Sequence, residues 1–85
     1  MNKKQRTTLA AVFRDPVSGT IVFADIEALL VAAGCTKIER GNGSSVIFSF
    51  DGQIVSFHRP HPRKEAKHYQ VRDARAFLIQ IGVTP

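Results

Sequence analysis

Hydrophobic positions along this chain change period twice. In FADIEALLVAA, residues 23–33, Ile26, Leu29, Leu30 and Ala33 recur at i, i+3, i+4 and i+7. That spacing gathers them on one face of a helix, and Gly34 supplies its stop. From Ser45 to His58 the period falls to two: SVIFSF and QIVSFH alternate on either side of Asp51-Gly52. This dipeptide suits a two-residue type I′ hairpin turn. The turn pairs Phe50 with Gln53 and, counting outward, Ser45 with His58. Val46, Phe48, Phe50, Val55 and Phe57 then share the face that covers the helices. Ser45, Ile47, Ser49, Ile54, Ser56 and His58 face away. Helical spacing returns over Tyr69–Ile81, where Val71, Ala74, Leu78 and Ile81 form a stripe widened by Phe77 and closed by Gly82.

Weaker signals fill the gaps. Thr7–Phe13 reads as a short helix with Thr7 or Thr8 as its N-cap. Arg14–Gly19, RDPVSG, has turn chemistry; TKIER at 36–40 alternates weakly and suits an edge strand; GNGSS at 41–45 is turn material. The order predicts an α+β sandwich, with two helices on one face of a three-stranded antiparallel sheet and a short N-terminal helix in front. Residues 1–19 form an N-terminal extension and residues 20–85 the main domain.

Composition bounds the partners more than the fold. Eighty-five residues with 44% hydrophobic and 22% charged side chains make one domain with a modest core. A formal charge of +5 and a pI near 10 favour anionic partners, nucleic acid first among them, then an acidic protein or an anionic membrane. Cys35 is the single cysteine, so an internal disulfide and a four-sulfur metal site are excluded and a reducing, cytoplasmic setting is expected. The basic start, NKKQR, precedes an apolar run (Leu9–Phe13) too short for a signal peptide, and no stretch approaches the length of a membrane span.

The candidate chemistry lies in FHRPHPRKEAKHYQ, residues 57–70, which holds all three histidines. His58-x-x-His61 in a polyproline-like segment would put two imidazoles on one side. A structural zinc needs about four ligands. Only His68, Cys35 or a lone carboxylate remains to complete them, and the surrounding cations repel a divalent ion, so no metal and no cofactor are expected. The same cations suit phosphate. Arg59, Arg63, Lys64, Lys67, Arg72 and Arg75 stand against Glu65 and Asp73; arginine grips phosphate oxygens in a fork and lysine adds point charge. Imidazoles supply an acid and a base near neutral pH. RNA brings its own 2′-hydroxyl nucleophile, so cleavage needs only proton transfer and charge stabilisation. A solvated basic loop without chemistry fits the segment equally well, and residue types alone do not choose.

From Ala24 to Gly82 the chain resembles the HicA family of toxin–antitoxin ribonucleases. The likeness rests on the helix ending at Gly34, Gly43-Ser44 ahead of a hairpin, His61-Pro62 after the last strand, Lys64-Glu65 beyond it and the closing Ile81-Gly82-Val83. His58–Pro62, His-Arg-Pro-His-Pro, is similar to a subgroup that carries extra residues before the core helix. The resemblance implies a double-stranded-RNA-binding-like α-β-β-β-α fold, an mRNA-cleaving activity that inhibits translation, and a HicB-type antitoxin partner. It also implies a catalytic histidine directly after the glycine-serine pair, where this chain has Ser45. Two readings follow: an endoribonuclease that works with other residues, or a module that binds RNA or antitoxin without cutting. In the first, His58 stands in space for the missing histidine because the hairpin sets it opposite Ser45. His61 completes an acid–base pair, and Ser45, Arg59, Arg63, Lys64, Lys67 and Arg72 contact RNA. Cys35 is expected to be buried, Tyr69 to anchor the last helix or stack on a base, and Lys3, Lys4 and Arg6 to lie in a disordered end or join an RNA-facing patch.

Overall fold

The computed structural model describes all 85 residues. Its elements are α1 (Lys3–Val12), α2 (Phe23–Ala32), β1 (Thr36–Arg40), β2 (Ser45–Phe50), β3 (Gln53–His58) and α3 (His68–Gln80). The three strands form one antiparallel sheet in the order β1-β2-β3. The fold is α+β, with the helices against one face of the sheet, as the hydrophobic periods predict.

The hairpin sets the register. Asp51 (φ 51°) and Gly52 (φ 82°) both adopt the left-handed conformation that a type I′ turn requires. Counting from that turn, Phe50 pairs with Gln53 and Ser45 with His58. Val46 and Phe48 are therefore fully buried, and Phe57 packs edge-to-face on Phe48 and on Phe23 of α2, with ring centroids 6.3 and 5.4 Å apart. Ile26, Leu29 and Leu30 of α2 and Val71, Ala74 and Leu78 of α3 complete the core. Each large side chain buried this way contributes about 1.5–3 kcal/mol.

α1 starts earlier than expected. Asn2 Oδ1 accepts from the Gln5 amide and Gln5 Oε1 accepts from the Asn2 amide, both at 2.8 Å. This capping box satisfies two of the orphan donors at the start of a helix. Thr7 and Thr8, expected at the cap, lie inside the helix, where their hydroxyls donate to the carbonyls of Lys3 and Lys4 at 3.0 Å. Lys3, Lys4 and Arg6 are thus helical. Leu9 and Val12 enter the same core as residues 20–85. Arg75 of α3 fastens the far end of α1 by donating to the carbonyls of Val12 (2.9 Å) and Arg14 (2.7 Å) and to Asp15 Oδ1 (3.1 Å).

The segment from Arg59 to Lys67 is pinned along its length. Its backbone makes a bridge between Glu65 and Val22, with Phe23 N–H on the Lys64 carbonyl (2.9 Å) and Ala66 N–H on that of Ile21 (2.7 Å). Buried Gln70 of α3 holds both ends: its amide donates to the His58 carbonyl at 2.7 Å and its Oε1 accepts from the Lys67 amide at 3.0 Å. The chain bends at Pro62, and the His61–Pro62 and Asp15–Pro16 bonds are cis.

Candidate nucleic-acid interface

The sheet face turned away from the helices is an open three-by-three grid. Register places Arg40, Ser45 and His58 in one row, Ile38, Ile47 and Ser56 in the next, and Thr36, Ser49 and Ile54 in the third. Ser45 Oγ lies 3.2 Å from His58 Nδ1. In the neutral imidazole the hydroxyl can donate to Nδ1; in the imidazolium Nδ1 donates to the hydroxyl. Either way the contact orients the ring and leaves Nε2 without a protein partner. Arg40 pairs with Ser45 from the other side and makes no ion pair. Sequence reading missed Arg40, although TKIER placed as an edge strand fixes its neighbour once the turn at 41–44 is known.

Arg59 was expected among the phosphate contacts, but its guanidinium is occupied within the fold. Nε and Nη2 donate to Glu27 Oε2 and Oε1 at 2.9 and 2.7 Å, while Nη1 reaches Glu39 Oε2 at 3.2 Å and the Gly43 carbonyl at 2.6 Å. Lys37 Nζ sits 3.1 Å from Glu27 Oε1. The network is neutral: two cations balance two carboxylates, so Arg59 adds little field for an RNA strand. Burial alone would raise the pKa of Glu27, but hydrogen bonds from Arg59 and Lys37, helped by their charges, outweigh it and hold the carboxyl below its ordinary value. Gly43 belongs to this network. Its φ is +81°, and a Cβ there would lie 3.4 Å from Arg59 Nη1. The glycine of the Gly43-Ser44 pair therefore serves the turn and the arginine against it.

The remaining site residues divide between two surfaces. His61, Arg63 and Lys67 line a concavity of about 480 Å³ together with Gly19, Glu65 and His68. His58 does not line it, so the two histidines expected to act together do not share a pocket. Lys64 lies in a different groove, of about 670 Å³, against α2 and the Glu27–Arg59 pair. Lys64, Lys67 and Arg72 are exposed and free of ion pairs; Arg63 is exposed and 3.7 Å from Glu65, a surface contact worth little. Arg75, counted in the same basic run, is occupied by α1. Tyr69 keeps 50% of its surface exposed instead of packing fully. Cys35 is buried, which pushes its thiol up and away from nucleophilic use. No three His, Cys, Asp or Glu side chains converge to hold a metal ion, and no helix is long and apolar enough to cross a membrane.

Neither curated proteins nor solved structures gave a match to the chain. Among protein families, residues 23–83 match the one described as HicA toxin of bacterial toxin-antitoxin. That span begins with α2 and runs past α3, taking in the sheet and the pinned histidine segment. The chain belongs to the HicA toxin family.

Proposed function

We propose that this toxin-family protein is an endoribonuclease that cleaves mRNA in the cytoplasm, arrests growth and is neutralised by a HicB-type antitoxin. The observation that carries the reading is the Ser45–His58 contact, 3.2 Å across the strands that follow the Gly43-Ser44 pair. The family resemblance calls for a histidine at the serine's position; the neighbouring strand supplies an imidazole one side chain away. Nε2 of His58 takes the proton from a 2′-hydroxyl, whose oxygen attacks the adjacent phosphorus. The bond from phosphorus to the 5′-oxygen breaks, and His61 gives that oxygen a proton. The products are a 2′,3′-cyclic phosphate and a 5′-hydroxyl. His61 follows His58 by three residues, so their Cα atoms lie no more than ~11 Å apart. Arg63, Lys64, Lys67 and Arg72 hold the strand, and Arg59 acts indirectly by fixing the segment to α2.

The test is incubation of purified protein with RNA in excess EDTA, with end-group analysis of the products. Cleavage leaving cyclic phosphates, lost by ~10²-fold or more in His58→Ala while the circular dichroism spectrum is kept, is the expected result. His58 is exposed, so its truncation leaves the core intact. Full activity in that variant would remove His58 from the mechanism. Ser45 in the histidine's place favours a second reading, a module that binds RNA or antitoxin without cutting. RNA retained intact by the protein is its signature.

A further inference from the structure

The concavity in front of α3 gathers His61, Arg63, Lys67 and His68, and His68 has no part in the chemistry assigned to the sheet face. Lys67 and His68, at the start of α3, form one wall, and His61 and Arg63 come from the pinned segment. Gly19, in the connection between α1 and α2, closes the remaining side. A Cβ on Gly19 would stand 2.8 Å from His68 Nε2, so the ring lies directly against glycine backbone. Gly19 does not have positive φ, which leaves this close approach, not a turn, as the physical constraint on the position.

We propose that this concavity binds a phosphate group, with Lys67, Arg63 and His68 as its principal donors and His61 on its wall. Lysine brings a full charge without an ion pair, and each imidazole carries at least one N–H in either protonation state. Arginine offers a fork that matches phosphate oxygens. α3 has no acidic residue in its first turn, so nothing there offsets the positive end of the helix. Glu65 is the opposing group. It stands 3.7 Å from Arg63 Nε, and its charge weakens the site without filling it. If the ribonuclease reading holds, and this assignment rests on it, the phosphate belongs to the RNA strand beyond the one processed at His58. Pro60 and His61 connect the two places, so a strand crossing the sheet face at His58 reaches the concavity along the chain's own path.

Histidine side-chain NMR of the full chain tests the site directly, with inorganic phosphate and a short single-stranded RNA as separate probes. Saturable shifts of His68 and His61 with inorganic phosphate, weakened about tenfold by Lys67→Ala, are the expected result. Gly19→Ala is the sharper variant. It removes no cation and leaves the backbone unstrained, and its methyl displaces the His68 ring, so phosphate binding falls while His58 resonances stay unchanged. Glu65→Gln should strengthen binding. Competition between the RNA and inorganic phosphate at His68 supports the strand as the source; phosphate binding without competition supports a free phosphate-bearing ligand at the same site. Shifts that never saturate, or that are equal at all three histidines and insensitive to Gly19→Ala, overturn the proposal. RNA cleavage is measured separately, so failure of the phosphate site and failure of the ribonuclease reading are distinguished.

Discussion

Glu27 lies beside the apolar stripe of α2 and is buried with it. It lies one residue after Ile26 and three before Leu30, and its side chain keeps only 8% exposure. A carboxylate there demands a cation, and Arg59 arrives from 32 residues away. The partner's identity was not legible in the sequence, because eight basic residues follow Glu27 and nothing local distinguishes Arg59 from Arg63. Gln70 is a second buried polar side chain, beside Val71, and was likewise found only in the structure. Removing Glu27 leaves a three-quarters buried guanidinium with only Glu39 and the Gly43 carbonyl, so Glu27→Ala should cost about 3 kcal/mol in denaturant unfolding. The pH dependence has a definite sign. The folded carboxyl is held below its ordinary value, so its stabilisation is complete above the unfolded pKa of about 4.3 and disappears as pH falls through the lower folded value. Wild-type stability should therefore drop on acidification more steeply than that of Glu27→Gln, which starts lower and is flatter. Parallel acid curves for the two proteins would sink the assignment.

Among the elements, those specified by local chemistry were the most legible. Asp51-Gly52 sets a hairpin whose register needs no distant information, and the alternation on both sides agrees with it. α1 was harder, because its signal is a capping box between Asn2 and Gln5 at a place where loose ends are the common expectation. Its docking was hidden as well, since Arg75 reads as one more cation in a basic run. In the structure Arg75 gathers the carbonyls that α1 and the following turn leave unpaired. Arg75→Ala should therefore loosen α1 before anything else. Hydrogen exchange at amides of residues 6–13 is expected to accelerate tenfold or more, corresponding to about 1.4 kcal/mol or above, with those in β2 and β3 changing far less. Uniform acceleration across the molecule would mean that Arg75 supports global stability instead.

For the whole molecule, the separation of structural from free cations decides how it meets a polyanion. Lys37, Arg59 and Arg75 are paired inside the fold, whereas Arg40, Lys64, Lys67 and Arg72 carry no ion pair. RNA affinity should fall steeply with salt as counterions return to the strand. Lys64→Ala and Lys67→Ala should each flatten the log–log slope by about one phosphate contact and weaken all sequences alike. Lys37→Ala should leave the slope unchanged. A slope insensitive to Lys64 and Lys67 would assign those residues to a protein surface. The sequence revealed the charge excess but not this division, because pairing across the fold depends on which cations meet buried carboxylates.

The Gln70 clamp has a consequence in time. Synthesis runs from the N-terminus, so His58 and the whole basic segment leave the ribosome before the residue that fastens both ends of that segment. Until α3 is complete and docked, the His58 carbonyl and the Lys67 amide have no Gln70 to bind, and the segment is held only by its contacts to Ile21, Val22, Phe23 and Glu27. α3 is the element that completes the surface, so the ordered site forms only after α3 has been made and docked.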